Sequence, residues 1–291
     1  MPRFAIFLSA VAALLLLALP VRSVSAESVS ADSASADTLA ADDSDCEPEC
    51  VRTGEWEIGI ALGYGYAPNP LADADDILLP VLPRISYYGE RFFIETSTIG
   101  YTLAESAQQR LNLIARPNLD YFYFADSGTF YSVLTHPFRY GLPGELSKRE
   151  LTWLGGLEYS WFRGPWQLQI SAGADISVGH DGYEATLGGK YHWQHDDNSL
   201  QLSLGLLYRD DRLTDYYYGV TEEETSWLEK RYAPGSSLSP YFSLTDEHQL
   251  SEHLSLLMML AVQRPDSVIS DSPLVTERWF TASFFGLSYV F

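Results

Sequence analysis

The feature that most constrains this chain is a period-two alternation that recurs from Trp56 to the last residue, Phe291. Trp56, Ile58, Ile60, Leu62, Tyr64 and Tyr66 alternate with Glu57, Gly59, Ala61, Gly63 and Gly65. Successive side chains of a strand point to opposite faces, so this row describes a strand with one apolar face and one small or polar face. Similar rows begin at Leu151, Trp166, Tyr183 and Leu200, and none of these four carries a charge on its apolar face. The last row is Trp279, Thr281, Ser283, Phe285, Leu287, Tyr289 and Phe291.

A soluble sandwich buries its apolar face against a second sheet and needs few aromatics at the strand ends. Apolar rows with aromatics at both ends instead suit strands that face lipid outside and water inside, with the rings at the two interfaces. A charge at mid-bilayer would cost roughly 2–4 kcal/mol, which explains the four charge-free faces. Past the N-terminus the best apolar run is Leu254 to Val262. It is far short of the ~20 residues of a spanning helix and close to the ~9–11 of a tilted spanning strand. The fold expected is therefore all-β: an antiparallel transmembrane outer-membrane β-barrel of about 12 strands, with 10 or 14 as alternatives. The strands are expected near 54–66, 79–88, 91–102, 109–124, 128–135, 150–162, 166–177, 183–193, 199–210, 237–246, 254–264 and 277–291. An even count leaves both ends periplasmic. The turns 89–90, 125–127, 163–165, 194–198 and 247–252 are then periplasmic, and the longer segments 67–78, 136–149, 211–236 and 265–275 lie outside with the short 103–108 and 178–182.

The chain divides into three parts. Residues 1–26 read as a secretory signal peptide: Arg3 in the n-region, an apolar stretch from Phe4 to Leu19, and the cleavage site Val24-Ser25-Ala26. Residues 27–53 read as a disordered acidic periplasmic tail, rich in Ser, Ala and Asp. Residues 54–291 form the barrel. Cys46 and Cys50, in Cys-Glu-Pro-Glu-Cys, are expected to close a small-loop disulfide in an oxidising compartment; a metal site would need two further ligands. The net charge of −21 excludes a nucleic-acid partner and suits acidic loops and an acidic lumen.

The inward rows give one candidate functional cluster: Glu158, Asp175, Glu184, Lys190, His192 and Arg209, on four neighbouring strands. It is either a polar constriction that selects solutes or a salt-bridged filling that stiffens a closed barrel. His192 reads as a lumen residue and His195 as a turn residue rather than as a metal pair. In the loop 211–236, Tyr216-Tyr217-Tyr218 reads as an exposed contact site or as girdle residues, and Glu222-Glu223-Glu224 as a solvated run. His180 and Asp181 are read as turn-shaping. The sequence holds no nucleophile elbow, His-Glu-x-x-His pair, P-loop or dinucleotide fingerprint, so no catalytic residue, metal or cofactor is expected.

Several segments together resemble the MipA/OmpV family of outer-membrane proteins. They are Leu79-Pro80-Val81 leading to Tyr87-Tyr88-Gly89-Glu90-Arg91-Phe92-Phe93; Asp175-Ile176-Ser177 with Gly179-His180-Asp181-Gly182-Tyr183; Asp215-Tyr216-Tyr217-Tyr218-Gly219-Val220; and Asp271-Ser272-Pro273-Leu274-Val275 with the terminal Gly286-Leu287-Ser288-Tyr289-Val290-Phe291. Their order and spacing match across roughly 55–291. The resemblance implies a barrel in contact with outer-membrane lipid and lipopolysaccharide. Its final strand, through Phe285, Leu287, Tyr289 and Phe291, would be the label read by the outer-membrane assembly machinery. It implies a non-enzymatic scaffold that holds a lytic transglycosylase and a murein synthase, with a small-solute channel or a surface adhesin or antigen as alternatives. The acidic tail and its Cys pair have no counterpart in the family pattern, and 118–149 fits it poorly.

Overall fold

The computed structural model describes residues 54–72, 74–124, 149–177, 179–222, 224 and 231–291. The expected signal peptide, the acidic tail with Cys46 and Cys50, and the expected strand 128–135 with its flanking turn 125–127 lie outside the described residues.

Twelve antiparallel strands close into a barrel in which each pairs with the next in sequence. They are β1 (Trp56–Ala67), β2 (Ile77–Tyr88), β3 (Phe92–Glu95), β4 (Thr98–Ser106), β5 (Gln109–Pro117), β6 (Trp153–Arg163), β7 (Trp166–Asp175), β8 (Tyr183–His195), β9 (Asn198–Arg209), β10 (Ser237–Gln249), β11 (Leu254–Gln263) and β12 (Phe280–Val290). The ring closes where Gly59–Tyr66 of β1 pairs with Ser283–Val290 of β12. Closure pairs the first strand with the last, so neither end of the sheet is left open. Among the described residues three short helices lie in the loops: α1 (Tyr121–Phe124), α2 (Asp211–Tyr218) and α3 (Ser267–Ser270).

Twelve strands are reached by a different route from the one the alternation suggests. The expected strand 91–102 is two strands, β3 and β4, which turn at Thr96-Ser97 with Thr96 at a φ of 32°. Consequently the segment 103–108 is not an external loop. β4 runs on to Ser106, and Ala107-Gln108 turns at the same end as Gly164-Pro165, beside which the Phe162 N–H donates to the Gln108 carbonyl at 2.8 Å. The expected strand 109–124 stops at Pro117, which has no N–H to carry the ladder further. The chain then enters α1.

β2 contains Pro80 and Pro83 and pairs with β3 only over Ser86–Tyr88. Over Ile77–Arg84 its other edge has no strand partner among the described residues. Proline is tolerated where no ladder donor is needed, which is what this edge provides. Pro80 also lies where the β1–β2 register shifts, between Leu62 and Gly65.

The two faces of the wall separate as the alternation requires. On the outside Leu62 is 54% exposed, Leu204 65% and Phe285 57%, whereas inward Ala61, Leu257 and Phe284 are within 1% of full burial. Aromatic pairs ring the periplasmic end, with Trp56 4.9 Å from Tyr87 and Trp166 4.7 Å from Tyr191. Tyr183 and Tyr208, at 5.8 Å, mark the other end. Tight turns face the periplasm: Arg163 pairs with Trp166 across Gly164-Pro165, where the φ of +55° at Gly164 suits a residue without Cβ.

Candidate functional site: the plugged lumen

The lumen is filled. On β11, β12, β1 and β2 its lining is mostly apolar, with Leu257, Met259, Phe280, Phe284, Ala61 and Leu82 all buried and Arg84, Gln263 and Ser288 among the polar exceptions. From β5 to β10 it is polar, with Asn112, Ser160, Gln167, Glu184, Gln201 and Arg209 also buried. Cations at Arg84, Arg116, Lys190 and Arg209 stand among the carboxylates, so the lumen is charge-mixed rather than acidic.

At the extracellular end the loops fold inward as a stopper. Asp210 caps α2: its Oδ1 accepts the N–H groups of Leu213 and Tyr183, each at 3.0 Å. The helix turns Leu213, Tyr217 and Tyr218 into the barrel mouth, where each is fully buried. Tyr217 and Tyr218 are therefore neither a surface contact site nor girdle residues; the volume inside the mouth takes them. Phe124 of α1 lies 5.8 Å from both rings. The Ser272 hydroxyl donates to the Tyr218 carbonyl at 2.6 Å, and the Tyr232 hydroxyl to that of Val268 at 2.9 Å, which ties α3 and its flank to the same stopper. Glu224 is not solvated either: Arg149 pairs with it at 2.9 Å, both buried. Ordinary carboxylate behaviour is altered in this rim at Asp266. Burial alone would raise its pKa, but the N–H groups of Leu238 and Val268 hold it below the usual carboxylate range.

Below the stopper lie two clusters of ion pairs, and in each, one pair crosses between strands that are not neighbours: Arg116 of β5 with Glu184 of β8, and Arg84 of β2 with Glu247 of β10. In an upper cluster Arg209 contacts Asp120 at 2.7 Å and Glu184 at 3.5 Å, and Arg116 contacts Glu184 at 2.6 Å. The Tyr218 hydroxyl donates to Asp120 at 3.1 Å, joining the helix to the ions. In a lower one Arg84 of β2 reaches Glu247 of β10 at 2.8 Å and the Ser288 hydroxyl at 3.0 Å.

The six residues expected as one cluster are distributed among four places. Glu184 and Arg209 belong together in the upper cluster. Glu158 accepts from Asn112 at 3.3 Å and from Gln169, and Lys190 lies in the field of Glu158 and Glu95. Asp175 is not part of a lumen cluster: its carboxylate accepts from Ser177, Gly179, His180 and Asp181 and so shapes the β7–β8 loop. His192 is half-buried near the periplasmic end of β8. Sequence reasoning missed Arg84, Arg116, Asp120 and Glu247. Three of these were available from strand parity, since Arg84, Arg116 and Glu247 occupy inward positions; Asp120 stands on a loop, where no period applies.

His180 is committed to loop structure. Its Nδ1 accepts the Gly182 N–H at 2.9 Å, so Nε2 carries the proton toward Thr152 Oγ1, 3.2 Å away. Thr152 lies 3.1 Å from the Tyr217 hydroxyl, which donates to the Glu150 carbonyl. Burial lowers the imidazole pKa against the pull of Asp175, Asp210, Asp181 and Glu184.

A closed twelve-stranded antiparallel barrel with a lipid-facing apolar exterior, aromatic girdles and tight periplasmic turns is an integral outer-membrane protein. The profile of the family described as MltA-interacting protein MipA matches residues 58–291, and the chain belongs to that family. It is 27% identical over 237 residues to the "putative outer membrane protein YiaT" of Escherichia coli (strain K12), covering 81% of this chain and 91% of that one. It is 26% identical over 242 residues to the "MltA-interacting protein" of the same organism, covering 83% and 93%. Among solved structures, a "bacterial polysaccharide outer membrane secretin" aligns over 81% of this chain and 98% of its own, with a TM-score of 0.40 and 8% identity. The "CymD monoaromatic hydrocarbon channel" aligns over 82% and 88% with a TM-score of 0.32 and 9% identity.

Proposed function

We infer that this protein is a non-enzymatic outer-membrane scaffold whose periplasmic turns hold murein-remodelling enzymes, a lytic transglycosylase foremost. The observation that carries the reading is the filled lumen. A barrel blocked by a loop stopper and two levels of ion pairs offers surfaces rather than a passage, and a relative covering most of its length is named for an interaction. The surface available to such a partner is split by charge. Arg163 stands at the β6–β7 turn, and Asp196, Asp197 and Glu252 stand on the β8–β9 and β10–β11 turns, while Glu90 and Arg91 offset each other on the β2–β3 turn, all of them exposed. A partner with a complementary split would be oriented as well as held.

The test is capture on the full-length, detergent-folded protein from its own envelope extract, with mass spectrometry of what is retained. Recovery of a lytic transglycosylase, lost when Asp196, Asp197 and Glu252 are changed together to Lys, is the expected result. A folded barrel that retains no murein enzyme overturns the reading. The channel alternative has one observation in its favour: the stopper is built from loops, which can withdraw without breaking the wall. It calls for single-channel conductance that rises in Asp120→Asn, and a silent bilayer removes it.

A further inference from the structure

Beneath α1 the upper ion cluster encloses a cavity of about 30 Å³, lined by Arg116, Asp120, Glu184, Arg209, Tyr241 and Gln263 among others. Arg209 Nε and Asp120 Oδ2 on this lining make ion contacts only, with each other at 2.7 Å, and two further donors have neither a hydrogen-bond partner nor an ion contact: Arg209 Nη1 and Gln263 Nε2, on residues each only 4% exposed. A buried N–H without an acceptor has lost its water and gained nothing in return. Two of them on one cavity mark a place for an acceptor.

The surrounding charge decides which kind. Arg116 and Arg209 are matched by Glu184 and Asp120, and the four are already in contact. An added anion would stand unbalanced beside two carboxylates at low dielectric, and an added cation beside two guanidinium groups. A neutral group meets neither penalty. A carbonyl oxygen has two lone pairs, one for each waiting donor, and an N–H on the same group finds acceptors in the carboxylates. The volume corresponds to about two water positions, which suits the carbonyl and nitrogen of a small amide. Tyr241 forms one wall. It lies over Gly188 and Gly205, where a Cβ would come within 2.5 and 2.6 Å of its hydroxyl, so these two glycines fix where that ring can rest.

The geometry points to an internal binding site for a small neutral solute bearing an amide-like carbonyl, held by Arg209 and Gln263 beneath α1. The site is independent of the scaffold reading and stands or falls separately from it. The experiment titrates the full-length, detergent-folded protein with acetamide and, separately, with formate, followed by calorimetry, in the native sequence and in Gln263→Leu. Saturable binding of acetamide, at least tenfold weaker in the variant and absent for formate, is expected. No saturable response to acetamide, an equal response in the variant, or formate binding as tightly as acetamide each overturns the site. Where Gln263→Leu fails to fold, Gln263→Met removes the same donor at similar length, with the same outcomes decisive. A crystal grown in acetamide whose cavity holds waters alone also overturns it.

Discussion

On β11, β12, β1 and β2 most of the groups that meet inside the barrel are apolar, Leu257, Met259, Ala282, Phe284, Ala61 and Leu82 among them; on β5 to β9 most are polar, including Asn112, Arg116, Glu158, Gln169, Glu184 and Arg209. Both sets are carried by the same backbone geometry and face the same lumen. They differ in how they fail. An apolar wall loses stability in proportion to the volume removed, because its contacts are many and individually weak. A polar wall loses it by leaving a partner without its counter-charge, because its contacts are few and mutually dependent.

The sharpest way to expose that difference is Arg209→Ala. It strands Asp120 in the interior, leaves Glu184 to Arg116 alone, and is expected to cost about 3–5 kcal/mol, measured by urea unfolding in lipid vesicles. The double variant Asp120→Asn with Arg209→Ala should recover part of the loss, and an unrelieved double would show that packing, not charge, was removed. On the apolar wall Met259→Ala is expected to cost about 3 kcal/mol in the same assay. No second-site charge change should relieve it. Asp210→Ala is milder. It takes the cap from α2 and is expected to cost about 1 kcal/mol, read as faster amide exchange from Leu213 to Tyr218 while the strands stay protected. Uniform loss across strands and helix would mean that stopper and wall unfold as one unit.

The smallest effect is on pH. His180 titrates below its ordinary value of 6.5 because it is buried. The folded loop is therefore neutral where the opened loop already binds a proton. Its contribution is complete above pH 6.5 and declines as the pH falls through 6.5 toward the folded value. Proteolysis of the β7–β8 loop should rise over that interval and lose its pH dependence in His180→Gln. A flat profile in the native sequence would show that this ring stays accessible to water.

The wall was legible because lipid imposes a rule on every second residue. Phe285, Leu287 and Tyr289 of β12 obey it on the outside, and so do the rows on β6 to β9. The β3–β4 hairpin was hard to read, since Glu95-Thr96-Ser97-Thr98 contains no glycine, proline or asparagine to signal a turn, and its trace is a change of parity on the outer face, from Phe92 to Ile99, Tyr101 and Leu103. The inward phenylalanines Phe280 and Phe284 were equally hidden: periodicity assigns a face, but not whether that face meets water or packed side chains. The stopper was the least accessible part. Tyr216, Tyr217 and Tyr218 suit a membrane interface or a barrel mouth equally well by composition, and only the diameter of the closed wall decides between them.

The cross-lumen pair of Arg84 and Glu247 has a consequence for assembly. A strand that enters the wall one residue out of register turns every side chain to the opposite face. For β10 such a slip would take Glu247 from its contact with Arg84 to the outer face, and would bring Phe242 and Leu244 inward among polar side chains. The error is thus penalised twice, once by the ion left behind in the lumen and once by the apolar groups withdrawn from lipid. Charges set at alternate positions act as a proofreading device: they select the correct alignment of a strand by making its nearest wrong alignment untenable.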